Sequence, residues 1–361
     1  MISAAGRCAV AVSIVAAIST LPVRASFIGA IPLDGLLGQA DAVVEVRVET
    51  VVLPYSYDSP QEFHAEVVDV LSGGDAVPER LVLHSSAWPE DLGVAFEPGA
   101  RVIAFLERDG DRFDVINNTR AILPAGEPEL RFEGAGDLRL RVFAELASVL
   151  RRTPEDATRA QLLVLLSEIA TGAEEPTFVQ YLGDAAPWTR RGALAALLSI
   201  HPTPERVALA DEEVRAHLGH PPAKPDQYFF RSLFGEVLLD RLVLSDEAPA
   251  RWWPFLPIFR TIADAKDPLG FEEVAIHGLR HAGDRSDALR LWRYATGGNE
   301  YQRRDALDAL SRLFLLGLRR PTVVWDQGRV TPEAVAQERR MHDEVRAALE
   351  REGLLPRAAP R

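Results

Sequence analysis

From Ala42 the chain alternates between apolar and polar residues. AVVEVRVETVV sets Val44, Val46 and Val48 on one face and Glu45, Arg47 and Glu49 on the other, the period of a half-buried strand. Similar runs follow in EFHAEVVDVL, RLVLHSS, ARVIAFLER and RFDVIN. Turn signals divide them: Ser72-Gly73-Gly74, Glu97-Pro98-Gly99 and Arg108-Asp109-Gly110-Asp111. The last supplies an Asp-Gly, whose glycine tolerates the positive φ of a tight hairpin. Five strands with no helix between them predict a small antiparallel barrel or sandwich, with a five-stranded barrel of the OB kind as first choice.

The order ADAVVEVRVETV, EVVDVLSGG, FEPGARVIAFLERDGDRFDVIN resembles the OB-type domains of netrin and the tissue inhibitors of metalloproteinases, over about residues 34–125. Those inhibitors chelate the protease zinc through an N-terminal cysteine. This chain has no cysteine there, so the resemblance implies the fold and not the inhibition. The connection HSSAWPEDLGVAFEPG, residues 84–99, is the least regular part of the region. Its Trp88, Glu90 and Asp91 could form a binding lip, as loops on a rigid scaffold often do, or Trp88 could plug one end of the barrel.

Beyond a Pro/Gly-rich link, ILPAGEPELRFEGAGD, the period changes. LRLRVFAELASVLRR places Leu140, Val142, Phe143, Leu146 and Leu150 at helical spacing. Helix-length segments continue to the C-terminus, divided by TPED, GAEEP, HPTPE, GHPPAKPDQ and HAGD. Two of them nearly coincide. YLGDAAPWTRRGALAALLSI from Tyr181 and YATGGNEYQRRDALDALSRL from Tyr294 keep Tyr, Arg-Arg and two Ala-Leu pairs in register at an offset of 113 residues.

In the first copy Asp184 precedes Arg190, Arg191, Ala193, Ala196 and Leu197. This resembles the HEAT-repeat pattern, in which an aspartate ends one helix and an arginine begins the next. The second copy carries Arg303 and Arg304, and a third, DPLGFEEVAIHGL, keeps Ala275, Gly278 and Leu279 but has Glu272-Glu273 in place of the arginines. The resemblance implies four or five helical hairpins between about 138 and 350, stacked so that each buries the apolar stripe its neighbour cannot cover. Asp184, Arg190, Arg191, Arg303 and Arg304 are then structural, with the Asp184 carboxylate near a helix start and expected to pair with Arg190.

The N-terminus changes the compartment. One arginine, an apolar run CAVAVSIVAAISTL and Val23-Arg24-Ala25 have the form of a cleaved secretory leader spanning residues 1–25. The single cysteine, Cys8, would leave with it. A disulfide-free exported protein must then rest on its own buried surface. Net charge is −13 with no basic stripe, which argues against nucleic acid, and no second long apolar segment predicts a membrane span after cleavage. Periplasm or exterior is the expected location.

Candidate chemistry is thin. His277 and His281 stand four apart, but without the HExxH glutamate, and His217 and His220 end a helix before two prolines. No Gly-x-Ser-x-Gly elbow and no Walker or Rossmann glycine pattern occurs. No catalytic, metal or cofactor residue is therefore assigned. The aromatic segment ARWWPFLPIFRTI brings Trp252, Trp253, Phe255 and Phe259 together, either as core between repeats or as an aromatic anchor for a partner. RRPTVVWDQGRVTP, residues 319–332, reads as a short hairpin before the last helix, a cap for an open end.

The expected organisation is a leader (1–25), an OB-like barrel (26–130), a linker (131–137), a HEAT-like helical domain (138–350) and a tail (351–361). The expected function is non-enzymatic binding of another protein or an envelope component. A hydrolase using the histidine pairs, or a plain spacer, are the competing readings.

Overall fold

The computed structural model describes residues 32–52, 61–73, 77–85, 98–110, 112–116, 121–125, 137–221, 223–235, 237–238, 252–318, 325–326 and 329–356. The expected leader, Trp88, Glu90, Asp91 and the expected linker up to residue 136 lie outside them.

A short helix, α1 (Leu33–Gln39), leads into β1 (Ala42–Val52), β2 (Gln61–Ser72), β3 (Arg80–Ser85), β4 (Arg101–Asp109), β5 (Arg112–Val115) and β6 (Ile122–Pro124). All pair antiparallel in one sheet of order β3-β2-β1-β4-β5, with β6 added to β4. Three register shifts along β1–β2 bend the sheet, as bulges do, so that β5 comes round beside β3 and the sheet nearly closes into a barrel. His84 on β3 reaches Asp114 on β5 across that seam at 3.2 Å. The predicted Asp109-Gly110 hairpin joins β4 to β5, with Gly110 at φ +62°.

Two features depart from the alternating pattern. Ile122–Pro124, taken above as the start of the link, forms β6 on Val102–Ala104, because Ile122 and Leu123 are buried there. Glu45, expected on the outer face, is 1% exposed and pairs with Arg101. Its neighbours Ala42–Val46 and Val102–Leu106 are buried whichever way they point. Alternation holds where one face meets water, and this end of the sheet is covered on both sides.

The helical half comprises α2 (Leu138–Arg152), α3 (Asp156–Ser167), α4 (Glu175–Val179), α5 (Pro187–Ile200), α6 (Pro204–Gly219), α7 (Lys224–Gly235), α8 (Leu256–Asp264), α9 (Glu272–Ala282), α10 (Ala288–Gly297), α11 (Glu300–Leu313) and α12 (Pro332–Arg351). The two-residue strands β7 (Trp325–Asp326) and β8 (Arg329–Val330) pair ahead of α12, where the sequence predicts a hairpin.

The 113-residue offset is present in the backbone. The 3-10 turn Gly172–Glu174 opening α4 recurs as Arg285–Asp287 opening α10, and both ends of α5 recur as both ends of α11. Thr171/Glu174 and Asp284/Asp287 form the same capping box at the same offset. In each, the third-position acid also binds an arginine from an earlier helix: Glu174 takes Arg139 of α2 at 3.1 Å, and Asp287 takes Arg260 of α8 at 2.8 Å.

Within each unit the first arginine of the pair turns back to a carbonyl five residues upstream. Arg190 donates to Ala185 O (3.0 Å) and Arg303 to Gly298 O (3.2 Å). The second arginine reaches the following helix: Arg191 bonds Glu213 of α6 at 2.8 Å, and Arg304 bonds Glu338 of α12 at 2.9 Å. The expected Asp184–Arg190 carboxylate pair does not form. Arg190 takes the backbone oxygen of Asp184 (2.8 Å), while its carboxylate caps Ala186 N (2.9 Å) and binds Arg159 of α3 at 2.7 Å. The Ala186 N–H, then Arg159, hold that carboxyl below the usual range against the opposing effect of burial.

Two apolar clusters hold the molecule, and they do not divide at the link. One runs from the sheet through α2, α3, α4 and part of α5; the other runs from α3 and α5 to α12. Helices α3 and α5 therefore contribute to both. On α5, Ala193, Ala196 and Leu197 join the sheet-side cluster, while Leu194, Ala195 and Leu198 join the other. These two helices lie close because Gly192 faces Ala160, where a Cβ at 192 would come within 2.6 Å of the Ala160 Cα.

Candidate functional site

The aromatic segment divides its residues between core and surface. Trp252 and Phe255 are fully buried, Trp252 stacked on His281 at 5.5 Å and Phe255 near Phe259 at 6.5 Å. A buried ring cannot meet a partner without unpacking. Trp253 is 61% exposed and remains available as an anchor.

The histidine pairs are similarly separated. His217 is buried and stacked on Phe230 at 3.9 Å, whereas His220 follows the end of α6 in the open. Burial, then the nearby Arg191, depresses His217 to about 4, so it stays neutral at ordinary pH. His277 Nε2 lies 3.5 Å from Asp305 of α11, and His281 serves as the Trp252 stacking partner. Among the described residues no group of three His, Cys, Asp or Glu side chains is placed to hold a metal ion, and no helix is long and apolar enough to cross a membrane.

A cleft of about 380 Å³ lies between α10, α11 and α12. Ala295 and Thr296 come from the end of α10, Glu300, Arg303, Arg304 and Leu307 from α11, and Val335, Glu338, Arg339 and His342 from α12. Helical spacing places these groups together: 300, 303, 304 and 307 share one face of α11, and 335, 338, 339 and 342 share one face of α12. Asn299 starts α11 through a capping box with Gln302, and Thr331 caps α12. Both faces are thereby fixed in rotation.

Arg304 is the base of the cleft, 1% exposed. Its Nε donates to Glu338 at 2.9 Å and its Nη2 to Glu300 at 2.5 Å, while Nη1 finds no acceptor. Glu338 also accepts Arg303 Nε at 3.3 Å, so one carboxylate holds both arginines. Arg339 stands exposed at the rim with no partner among the described residues. The His342 ring leans on Trp292 at 4.9 Å. Three arginines against two glutamates leave one positive charge in a chain whose net charge is −13, before His342 is counted.

Sequence reasoning had placed Arg303 and Arg304 as scaffold only. The signal it lacked was Glu338, 34 positions downstream, which meets Arg304 only once α12 packs on α11. No known family matches this chain, and neither curated proteins nor solved structures give a match.

Proposed function

We propose that this is an exported binding or scaffold protein that holds another protein or an envelope component. In this reading the sheet is an OB-like barrel, supported by the order β3-β2-β1-β4-β5 with β5 beside β3. The helical half is a HEAT-like stack, supported by α3 lying on α5 and α9 on α11.

The observation that carries the proposal is the repetition itself. The 3-10 turn with its capping box, and the boundaries of the long helix, recur 113 residues later. Repetition builds an extended surface, and such surfaces are used for binding. Trp253, Tyr228 (60% exposed) and Tyr301 (53%) are exposed aromatic groups available for contact.

The test is crosslinking capture from an envelope extract with the purified protein as bait, in parallel with Trp253→Ser. A specific partner lost or weakened about tenfold by that change supports the reading. A spacer would capture nothing beyond the bead control.

A further inference from the structure

The nearly closed sheet has one seam that its backbone does not join. Hydrogen-bonded ladders run from β3 to β2, β2 to β1, β1 to β4, and β4 to both β5 and β6. Among the described residues none joins β3 to β5, although the two strands lie side by side. A side chain spans the gap instead. His84 lies on the polar face of β3, with Leu81 and Leu83 turned to the core. Its Nδ1 is 3.2 Å from Asp114 Oδ1 of β5, and its Nε2 is 3.6 Å from Glu62 Oε2 of β2, the residue opposite it in the β2–β3 ladder.

Two carboxylates on one imidazole restrict its protonation. A neutral ring carries a single N–H, so it can donate to one carboxylate and must turn a lone pair toward the other. Both contacts are favourable only when both nitrogens are protonated. The surroundings act in the same sense. His64 Nε2 is 3.1 Å from the other Glu62 oxygen, and Glu107 of β4 stands opposite Asp114. Arg112, two residues before Asp114, shares its face of β5. Three carboxylates thus stand against one permanent cation and two imidazoles. Their contacts run in a chain, Asp114 to His84 to Glu62 to His64, and do not gather into a metal site.

We propose that His84 is a pH-dependent clasp: with both ring nitrogens protonated it ties β3 to β5, and on losing one proton it releases one side of the seam. The clasp is closed where imidazoles are charged and carboxylates ionised, between about pH 4.5 and 6, and it loosens as pH rises through the ordinary histidine range near 6.5. The backbone ladders have no such dependence. The side chains of His84, Glu62 and Asp114 are 40%, 39% and 37% exposed, so solvent protons reach them and water screens the pairs. The expected change in the opening equilibrium is therefore about fivefold and not several orders of magnitude. The clasp does not depend on the binding reading above.

The experiment is hydrogen-exchange mass spectrometry on the full chain at about pH 5.5 and about pH 8, with rates corrected for the intrinsic pH dependence of amide exchange. Peptides covering β3 and β5 should exchange about fivefold faster at the higher pH, while those from the centre of β1 should not change. His84→Gln retains a polar side chain at the seam but cannot take up a proton, and should remove the difference. His64→Gln leaves His84 between its two carboxylates and should retain it. Nitrogen-15 spectra at the lower pH should show both His84 ring nitrogens protonated. The inference is overturned if the β3 and β5 peptides exchange alike at the two pH values, if the difference survives in His84→Gln, or if His64→Gln abolishes it.

Discussion

The units beginning at Thr171 and at Asp284 share a backbone and differ inside. In the first, α5 presents Gly192 and Ala195 to the interior, and the close approach to Ala160 is made by the absence of a side chain. In the second, the positions at the same offset are Asp305 and Asp308. They are buried and reach α9, Asp305 toward His277 at 3.5 Å and Asp308 to Arg280 at 2.8 Å. The capping differs as well. Helix α11 carries its own capping box, while α5 is capped from α3, whose Asp156 accepts from Trp188 N at 3.0 Å and Thr189 N at 2.6 Å. One repeat template has thus been filled with an apolar seam and with an ion-paired seam. The chain keeps the 3-10 turn, its capping box and the length of the long helix while the contents between helices vary.

The largest test of that difference is to move a residue of the second seam into the first. Gly192→Asp would bury a carboxylate with no partner and drive a Cβ into Ala160. We expect a loss of about 3 kcal/mol or more, measured by urea denaturation, or no soluble protein at all. A loss under about 1 kcal/mol would mean that the α3–α5 seam is loose.

Next is Asp308→Ala, which removes the buried carboxylate that pairs with Arg280 and Arg312 in the second seam and should cost about 3 kcal/mol. Adding Arg280→Met should recover part of that loss, and a double-mutant cycle reads the coupling. Additive effects would show that the pair is not coupled.

The His217 effect is smaller and confined to a pH window. Because burial pushes the folded histidine down to about 4 while the unfolded one keeps the ordinary 6.5, the unfolded state binds more protons between those limits. Stability should therefore fall as pH drops from about 6.5 toward 4, by at most about 1.4 kcal/mol per unit. His217→Gln should flatten that slope when the two chains are denatured side by side. Unequal curves only below pH 4 would assign the effect to other groups.

The smallest effect should be the most symmetrical one. Arg190→Ala removes the paired contacts to the Asp184 and Ala185 carbonyls, which share one Nη1, and Arg303→Ala the contact to the Gly298 carbonyl, at about 1 kcal/mol for each variant. Arg303 also binds Glu338, so its loss should be the greater of the two. The reverse order would mean that the arginines do not play equivalent parts in the turn.

The repeat was legible because its caps and its Arg-Arg pair are local, within about thirty residues of chain. Most of the sheet was legible for the same reason, since alternation and the Asp109-Gly110 turn need no knowledge of distant residues. Glu45 was misplaced because its face is set by what packs on the sheet, and Ile122–Pro124 because a three-residue strand is too short to show a period. The cleft was invisible because Arg304, Glu338 and Arg339 acquire meaning only when α11 and α12 lie side by side. Asp156 shows the limit most plainly: it opens its own helix in sequence and caps another in space.

The central position of α3 and α5, each with apolar residues in both clusters, has a consequence for how the chain is made. The sheet is complete in sequence at Pro124, but the apolar cluster it belongs to is completed only by α5, which ends at Ile200. For the interval in which those residues are still being synthesised, the sheet side of that cluster lacks its last apolar residues and stays partly bare. We expect it to need a chaperone's shelter until α5 arrives and to be lost to proteolysis if the ribosome stops early.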